Sequence, residues 1–471
     1  MSVGTEIDVS LHIYDTMERQ KVPFVPRTEG EVAMYVCGPT VYDVPHLGHG
    51  RTALTYDVIR RYLEWTGWNV IVASNVTDID DKIINRAETE GRTEPEVAAE
   101  FTKAYDEQME RLDILSAESR PHATQFIEGM VGIIAELVDR EAAYVVPNKG
   151  VYFSVEGLSD YGRLAGRNLD QLLEDAGQRV DVDTDKRSPL DFALWKSSKA
   201  GEPSWDTPWG TGRPGWHTEC VAMSLSALGP GFDIHGGGDD LCFPHHQNEW
   251  AQVTATGQTF ARHWVHSAMV NVAGEKMSKS LGNFTNLAEA IDTAGPRALR
   301  LLAMQTHYRR AMEMGREALM AASAAIDRLD AFRRRMTAAG VELTAGDTDP
   351  TTVAAFKTAM DDDFGTPVAL DHTFSLVRGA NGSLDDGDLT AAGVQARTAL
   401  MLFSVLGIEV GFADSVAASG PDDAEIETLI EQRREAREGK DFTTADRIRD
   451  QLAEAGVVLE DTSAGVVWHR T

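Results

Sequence analysis

The chain has 471 residues with 42% apolar and 25% charged side chains, which is ordinary for a globular protein of about two to four domains. It has no run of eighteen apolar residues, no basic-then-apolar leader and only three cysteines, so a membrane span, a secretion signal and a disulfide framework are not expected, whereas a cytoplasmic location is. The net charge of −30 argues against a nucleic-acid partner unless basic residues gather locally, as they do at 333–335 and between 433 and 449.

The first clear element is a buried strand that runs into a helix. Residues 32–36 are apolar, Gly38 and the following proline end the strand, and apolar residues then recur at helical spacing to residue 63. His46 and His49 bracket Gly48 at the predicted helix N-terminus, where unpaired N–H groups suit a phosphate. Polar residues of an ordinary loop are the alternative interpretation.

The rest of the chain divides into regions of different pattern. A second apolar run at 68–74 completes a strand–helix–strand unit, which predicts an α/β fold with a Rossmann-like parallel sheet over residues 31–310, after a lead-in over 1–30. Short β-like runs between acidic turns indicate an insertion at about 120–210. Helical patterns follow over 311–345 and over 346–412, and a small α+β unit is predicted at 424–471, after a linker.

Residue types that bind metal are scattered along the chain. His245 and Glu249 are four apart, so on a helix they share one face, whereas His246 would point elsewhere. Cys37 and Cys220 are the soft ligands that zinc also accepts, but spacing alone does not bring them together. The alternative is that the cysteines are small buried side chains; Cys242 is interpreted as core in either case.

Several longer strings resemble the class I aminoacyl-tRNA synthetases, and among them the cysteinyl-tRNA synthetase family. The general signature is His-x-Gly-His at 46–49 with Lys-Met-Ser-Lys-Ser at 276–280. The specific strings are Cys-Gly-Pro-Thr-Val-Tyr-Asp at 37–43, Gly-Trp-His-Thr-Glu-Cys at 215–220, Asp-Ile-His-Gly-Gly-Gly-Asp-Asp-Leu at 233–241 and Phe-Pro-His-His-Gln-Asn-Glu at 243–249. The resemblance extends from about residue 20 to the C-terminus.

The resemblance implies ATP-dependent activation of cysteine to cysteinyl-adenylate and its transfer to the terminal ribose of tRNA(Cys). It implies one zinc ion per chain, held by Cys37, Cys220, His245 and Glu249. Catalysis would fall to His46, His49, Lys276 and Lys279, and ATP would be bound by His46, Gly48, His49, His235, Gly237, Asp240 and Lys279, with Mg²⁺. Cysteine would lie against Cys37, Gly38, Thr77 and Trp216.

The resemblance also assigns tasks to the C-terminal half. Residues 311–345 would contact the tRNA stem, 346–412 would form a helical bundle, and 424–471 would bind the anticodon through Arg433, Arg437, Arg447 and Trp468. A solvated, salt-bridged helix explains these arginines equally well. A monomer is expected.

Two other functions compete with this interpretation. A cysteine–glucosaminylinositol ligase of mycothiol biosynthesis performs the same first step, but it typically lacks the last unit and the residue matching Glu249. A non-catalytic zinc-binding regulator would have little need for His49 or Lys279.

Overall fold

The structure is a computed structural model, and it describes residues 11–177, 185–271, 286–411, 423–439, 441–462 and 465–470. The strands are β1 His12–Asp15, β2 Gln20–Pro23, β3 Glu31–Val36, β4 Asn69–Ser74, β5 Ala143–Val146, β6 Gly150–Phe153, β7 Phe192–Ser197, β8 Gly212–Pro214, β9 Phe232–Gly238, β10 Ala261–Ser267, β11 Val270–Asn271, β12 Met312–Glu313, β13 Val457–Thr462 and β14 Gly465–Arg470.

The helices carry most of the remaining described residues. They are α1 Leu47–Trp65, α2 Asp81–Glu90, α3 Glu94–Arg111, α4 Ile127–Asp139, α5 Leu169–Gly177, α6 Trp216–Leu228, α7 Asp239–Leu241, α8 Gln247–Ala255, α9 Leu287–Ala294, α10 Pro296–Gln305, α11 Arg316–Ala338, α12 Pro350–Asp361, α13 Thr366–Asp385, α14 Leu389–Val405, α15 Asp423–Glu438 and α16 Phe442–Glu454. Among the described helices, none is long and apolar enough to cross a membrane.

The central sheet is parallel, with strand order β10-β9-β3-β4. Its central strand β3 is apolar on both faces because helices cover both. Met34 and Val36 pack towards α1, whereas Ala33 and Tyr35 pack in a second core that contains residues of α6. The predicted α/β fold with a Rossmann-like parallel sheet is therefore confirmed.

The inserted segment forms a sheet of its own. Strands β5 to β8 pair antiparallel in sequence order, and they lie in the chain between β4, a strand of the central sheet, and α6, a helix that packs on it. Their core is separate and includes Phe153, Leu194 and Trp195. The boundaries of the domains stay predictions.

Beyond the sheet the chain is helical, as expected. Helices α11 to α14 pack on one another. Their buried residues are divided between two cores, and the larger core also contains residues of α1. Residues 411–471 form a separate compact unit, in which α15, α16 and the β13–β14 hairpin enclose a small core of Ile426, Ile448, Leu452 and Val457.

Candidate active site and metal centre

The carboxyl end of β3 is held in a tight backbone contact that brings three predicted cysteine-binding residues together. A Cβ on Gly38 would lie 1.8 Å from the carbonyl oxygen of Asn75, so this position accepts only glycine. The Gly38 N–H donates to Asn75 Oδ1 at 2.9 Å, and Asn75 Nδ2 donates to Thr77 Oγ1 at 3.0 Å. The space at the carboxyl end of β3 is therefore lined by Cys37, Gly38 and the buried Thr77.

Four buried side chains converge beside this place. The ligand atoms of Cys37, Cys220, His245 and Glu249 all lie within 4.8 Å of one another. The two Sγ atoms are 3.8 Å apart, Cys37 Sγ is 3.8 Å from Glu249 Oε1, and His245 Nε2 is 2.9 Å from the same oxygen. Folding thus joins the two cysteines, which spacing alone could not, to the histidine and glutamate.

The side chains of this cluster shift one another's pKa values, although every one of them is buried. Burial opposes ionisation of Glu249, but His245 and then His235 lower its pKa to about 2. Burial also disfavours the His245 imidazolium, yet Glu249 and Cys220 raise its pKa to about 10. The hydrogen bond from Cys37 lowers the pKa of Cys220 to about 6, whereas burial raises the pKa of Cys37.

His246 does not point away, and that prediction is wrong. Its Nε2 lies 3.3 Å from Cys37 Sγ, and its Nδ1 lies 2.8 Å from His266 Nε2. The prediction considered only the helical face that His245 shares with Glu249. The extended backbone at Phe243, φ −140° and ψ 129°, lies before both histidines, and His246 itself is helical with φ −65° and ψ −35°. The His246 ring reaches Cys37 because this cysteine comes to the cluster from the end of β3 and not from the same helix.

His235 also lies at the cluster and not in an open nucleotide cradle. Its side chain is fully buried, and its Nε2 is 2.8 Å from Glu249 Oε2. The resemblance placed it against ATP. In the structure it pairs with Tyr35 across β3 and β9, on the sheet face that carries the candidate metal ligands. Its Nε2 is used by the contact with Glu249, and its contact with ATP stays a prediction.

Trp216 covers the cluster from the start of α6. Its ring stacks on the His245 imidazole with centroids 4.1 Å apart, and His217 Nδ1 is 3.0 Å from His245 Nδ1. An aromatic ring beside a buried donor cluster gives an apolar wall with little freedom. The sequence interpretation missed two histidines near the cluster, His217 and His266. Each lies in or beside a histidine-containing string at an edge of the sheet, which is the signal that identified the other histidines.

The two signature histidines open α1 as a reciprocal cap. The Gly48 N–H donates to His46 Nδ1 at 3.1 Å, and the His46 N–H donates to His49 Nδ1 at 3.2 Å. The rings stack with centroids 3.8 Å apart. Burial, with the nearby His46 and Lys82, lowers the pKa of His49 to about 3, so the ring is neutral at physiological pH. Because Nδ1 accepts, the ring proton is on Nε2, which can donate to a phosphate.

The glycines after His235 belong to strand β9 and leave room for aromatic rings. A Cβ on Gly236 would lie 2.4 Å from Tyr56 Cε1, and one on Gly237 would lie 2.8 Å from His246 Cε1. The Gly237 N–H donates to Tyr56 Oη at 2.6 Å. Asp240 follows in α7, is exposed, and influences the pKa of His46, which burial lowers and the carboxylate partly restores. Asp240 and the signature histidines are therefore close.

Two predicted catalytic residues lie outside the described residues. Lys276 and Lys279 fall within 272–285, and β11 ends at Asn271 just before that range. Their predicted contact with ATP stays a prediction.

The predicted anticodon residues lie in the separate C-terminal unit. Arg437 and Arg447 are exposed and Arg433 is half-buried, whereas neighbouring Arg434 pairs with Glu431 at 2.5 Å. Trp468 packs against the small core, and its Nε1–H donates to Glu427 Oε1 at 2.7 Å. The ring is therefore partly used by folding, and its predicted stacking on a base stays a prediction.

Comparison with known proteins identifies related sequences along nearly all of the chain. Residues 23–324 match the model for tRNA synthetases class I (C) catalytic domain, 355–410 match the DALR domain and 423–468 match the cysteinyl-tRNA ligase anticodon binding domain. A cysteine–tRNA ligase of Gloeothece citriformis is 45% identical over 98% of this chain and 100% of its own length. The cysteine–tRNA ligase of Acinetobacter baumannii strain SDF is 43% identical over 97% of this chain and 98% of its own length.

Solved structures show the same fold at low identity. Methionyl-tRNA synthetase of Mycobacterium tuberculosis, bound by methionyl-adenylate, has a TM-score of 0.60 at 13% identity and covers 80% of this chain and 92% of its own. The agnB2 LeuRS of Agrobacterium radiobacter K84, in a complex with tRNA, has a TM-score of 0.61 at 10% identity and covers 83% and 88%. Together with the near-complete sequence matches, these findings show that the chain belongs to the cysteine–tRNA ligase family of class I aminoacyl-tRNA synthetases.

Proposed function

We propose that this chain is a cysteine–tRNA ligase that selects cysteine through a zinc-bound thiolate. The observation that carries the proposal is the buried cluster of Cys37, Cys220, His245 and Glu249 beside Gly38 and Thr77, at the same sheet edge as the helix opened by His46 and His49. The first step joins the cysteine carboxylate to the α-phosphate of ATP and releases pyrophosphate. The second passes the cysteinyl group to the terminal ribose of tRNA(Cys).

The donor set fits zinc. Two thiols, one imidazole and one carboxylate are side chains that zinc accepts, and a zinc ion held by these four would take the substrate thiolate by expanding to five ligands. Zinc, when bound, supplies a Lewis acid that favours the thiolate of a substrate cysteine over the hydroxyl of serine. An apolar pocket alone separates such near-isosteres by roughly 10²-fold. Direct selection of the thiolate therefore removes the need for a separate editing site.

The protein side chains around the cluster hold the substrate and exclude water. Trp216 and the buried Thr77 line the space next to Cys37. Gly38 has no side chain, so its backbone can lie close against Asn75 at this point. The His235 and His246 imidazoles contact Glu249 and Cys37 respectively, which orients these ligands. The cysteine carboxylate would then face the N-terminus of α1.

The α1 N-terminus supplies the donors for the phosphates. The Nε2–H groups of His46 and His49 and the positive end of the α1 dipole are suited to the charge on the α-phosphate and the leaving pyrophosphate. Lys276 and Lys279 are proposed to add two cations, and Mg²⁺ is expected with ATP. No side chain needs to act as a covalent nucleophile, because positioning and electrostatics are sufficient for phosphoryl-type transfer.

The rival ligase of mycothiol biosynthesis receives no support. Glu249 lies in the donor cluster, and residues 423–468 match an anticodon-binding model. The direct test is aminoacylation of a tRNA(Cys) transcript beside a parallel reaction with glucosaminylinositol. Cysteinyl-tRNA formation alone supports the proposal, whereas transfer to the small amine alone would overturn it. A monomer and a cytoplasmic location belong to the same proposal.

A chain truncated after residue 412 should still form cysteinyl-adenylate but charge tRNA poorly. Residues 411–471 form a compact unit of their own, and every residue assigned to ATP, zinc and cysteine precedes residue 281. Loss of lysine and arginine contacts to phosphate should raise the KM for tRNA and flatten its salt dependence.

The measurement compares both half-reactions at two salt concentrations for the truncated and the full chain. Equal tRNA charging by both would remove the C-terminal unit from tRNA recognition. Loss of both half-reactions would show that the catalytic part needs the last unit to fold.

A further inference from the structure

A buried carboxylate far from the ligands in sequence joins three segments behind the active site. Asp363 is fully buried between α12 and α13, and its Oδ1 accepts hydrogen bonds from the Tyr14 N–H at 2.8 Å and the Tyr308 hydroxyl at 2.6 Å. Its Oδ2 accepts from Arg309 Nε at 2.6 Å. A carboxylate with three donors is fully satisfied, so each donor segment is held in register.

The backbone at this point is held in an unusual conformation. Asp363 and Phe364 have positive φ angles of 64° and 52°, which only glycine adopts freely and which aspartate and asparagine tolerate better than other residues. The Asp363 N–H also donates to the His12 carbonyl at 2.8 Å, and its carbonyl lies 3.0 Å from His307 Nε2. The junction is therefore specified by both the backbone and the side chain.

The segment that Asp363 holds is connected to the signature helix. The Tyr308 carbonyl accepts from Arg51, which lies in the first turns of α1 two residues after His49. Arg51 is buried and also donates to the carbonyls of Met269, at 3.0 Å, and Arg310. A single guanidinium thus ties α1 to residues 308–310 and to the end of the central sheet.

The same segment is connected to the strand that leads into the lysine motif. The Ala268 N–H donates to the Tyr308 carbonyl at 2.8 Å, and the Met312 N–H donates to the Met269 carbonyl at 3.2 Å. Strands β11 and β12 then pair in parallel, Val270 with Met312 and Asn271 with Glu313. The position of β11 is therefore fixed by residues 308–313, and the first two of these residues, Tyr308 and Arg309, are hydrogen-bonded to Asp363.

From these contacts we propose that Asp363 is a positioning residue for adenylate formation, acting through Tyr308 and Arg51 on the N-terminal turn of α1 and on β11. The inference rests on the proposed function. Asp363 itself is not placed against a substrate. Of the two elements that it holds, α1 carries the histidines proposed to bind phosphate, and β11 precedes Lys276 in the sequence. A displacement of about 1 Å in such elements lowers reaction rates by about 10²-fold.

The test is Asp363→Asn, since asparagine keeps the backbone conformation and removes the charge that Arg309 needs. The matched control is Asp362→Asn, whose carboxylate is exposed and accepts a hydrogen bond from Lys21 Nζ at 2.5 Å. We expect kcat of cysteine-dependent pyrophosphate exchange to fall by about tenfold to 10²-fold for Asp363→Asn, and by less than about twofold for the control.

Three further readouts separate positioning from loss of structure. The KM for cysteine and the zinc content should stay near the wild-type values, because Asp363 contacts none of the four ligands. Transfer of a preformed cysteinyl-adenylate to tRNA should also be nearly normal. Tyr308→Phe removes only the hydroxyl that donates to Asp363 and should show the same split with a smaller effect, which keeps the test available if Asp363→Asn does not fold.

Two results would overturn the inference. One is that kcat of pyrophosphate exchange is unchanged in both Asp363→Asn and Tyr308→Phe while the wild-type protein is active. The other is a parallel loss of exchange, transfer and zinc in every variant that lowers activity, which is what a purely structural role produces. An inactive wild-type protein would instead contradict the proposed function.

Discussion

Replacing Cys220 with serine should abolish cysteine activation while the fold is retained. The Cys220 Sγ lies 3.8 Å from Cys37 Sγ inside the donor cluster, and the hydrogen bond from Cys37 lowers the pKa of Cys220 to about 6. A neutral hydroxyl is a poor zinc ligand. Since loss of an outer partner of a ligand typically costs 10–100-fold in metal affinity or activity, loss of a ligand itself should cost more than ~10²-fold.

The matched control for this change is Cys242→Ser. Cys242 is half-buried, and its thiol donates a 3.5 Å hydrogen bond to the Leu164 carbonyl outside the donor cluster. Zinc content and cysteine-dependent pyrophosphate exchange would be measured on the same samples. Full zinc occupancy and a normal KM for cysteine in Cys220→Ser would refute the metal assignment.

Replacing His49 with alanine should slow adenylate formation far more than it weakens cysteine binding. The neutral His49 ring offers an Nε2–H to a phosphate oxygen whose charge grows in the transition state. Losing one such donor typically costs about 3 kcal/mol, or roughly 10²-fold in rate. Lys279→Ala is expected to act in the same direction. Pre-steady-state measurement of adenylate formation, with cysteine binding measured separately, checks both.

His49→Asn is the informative companion of the alanine variant. Asparagine keeps a neutral N–H donor and also an oxygen that can accept the His46 N–H, so it should retain more activity than alanine. Thermal unfolding of both variants reports the lost helix cap, which typically contributes about 1 kcal/mol. Unchanged adenylate formation in His49→Ala would show that the phosphate role is wrong.

The sequence predicted the parts of the site whose information is local. The strand at 32–36, the glycine–proline turn and the helical apolar spacing after residue 49 gave β3 and α1 because period and turn chemistry are set by neighbouring residues. The convergence of Cys37 with Cys220 was available only through the resemblance. No periodicity relates two residues that are 183 positions apart.

The surroundings of two histidines were beyond local sequence information. His246 was expected to point away from the cluster because only its own helix was considered, whereas Cys37 reaches its ring from the end of β3. The contact of His235 with Glu249 depends on the pairing of β9 with β3, which is set by the whole fold. Asp363 carries no local signal either, since its donors come from residues 14, 308 and 309.

The proposed selection of cysteine requires that the substrate thiolate bind the metal that Cys37, Cys220, His245 and Glu249 would hold. Cobalt(II) in place of zinc reports each added thiolate through its sulfur-to-metal charge-transfer absorption. We expect this absorption to rise when cysteine is added to the cobalt-loaded full chain and to stay unchanged with serine. An absorption that does not respond to cysteine, in a cobalt-loaded sample that still performs cysteine-dependent pyrophosphate exchange, would contradict the account.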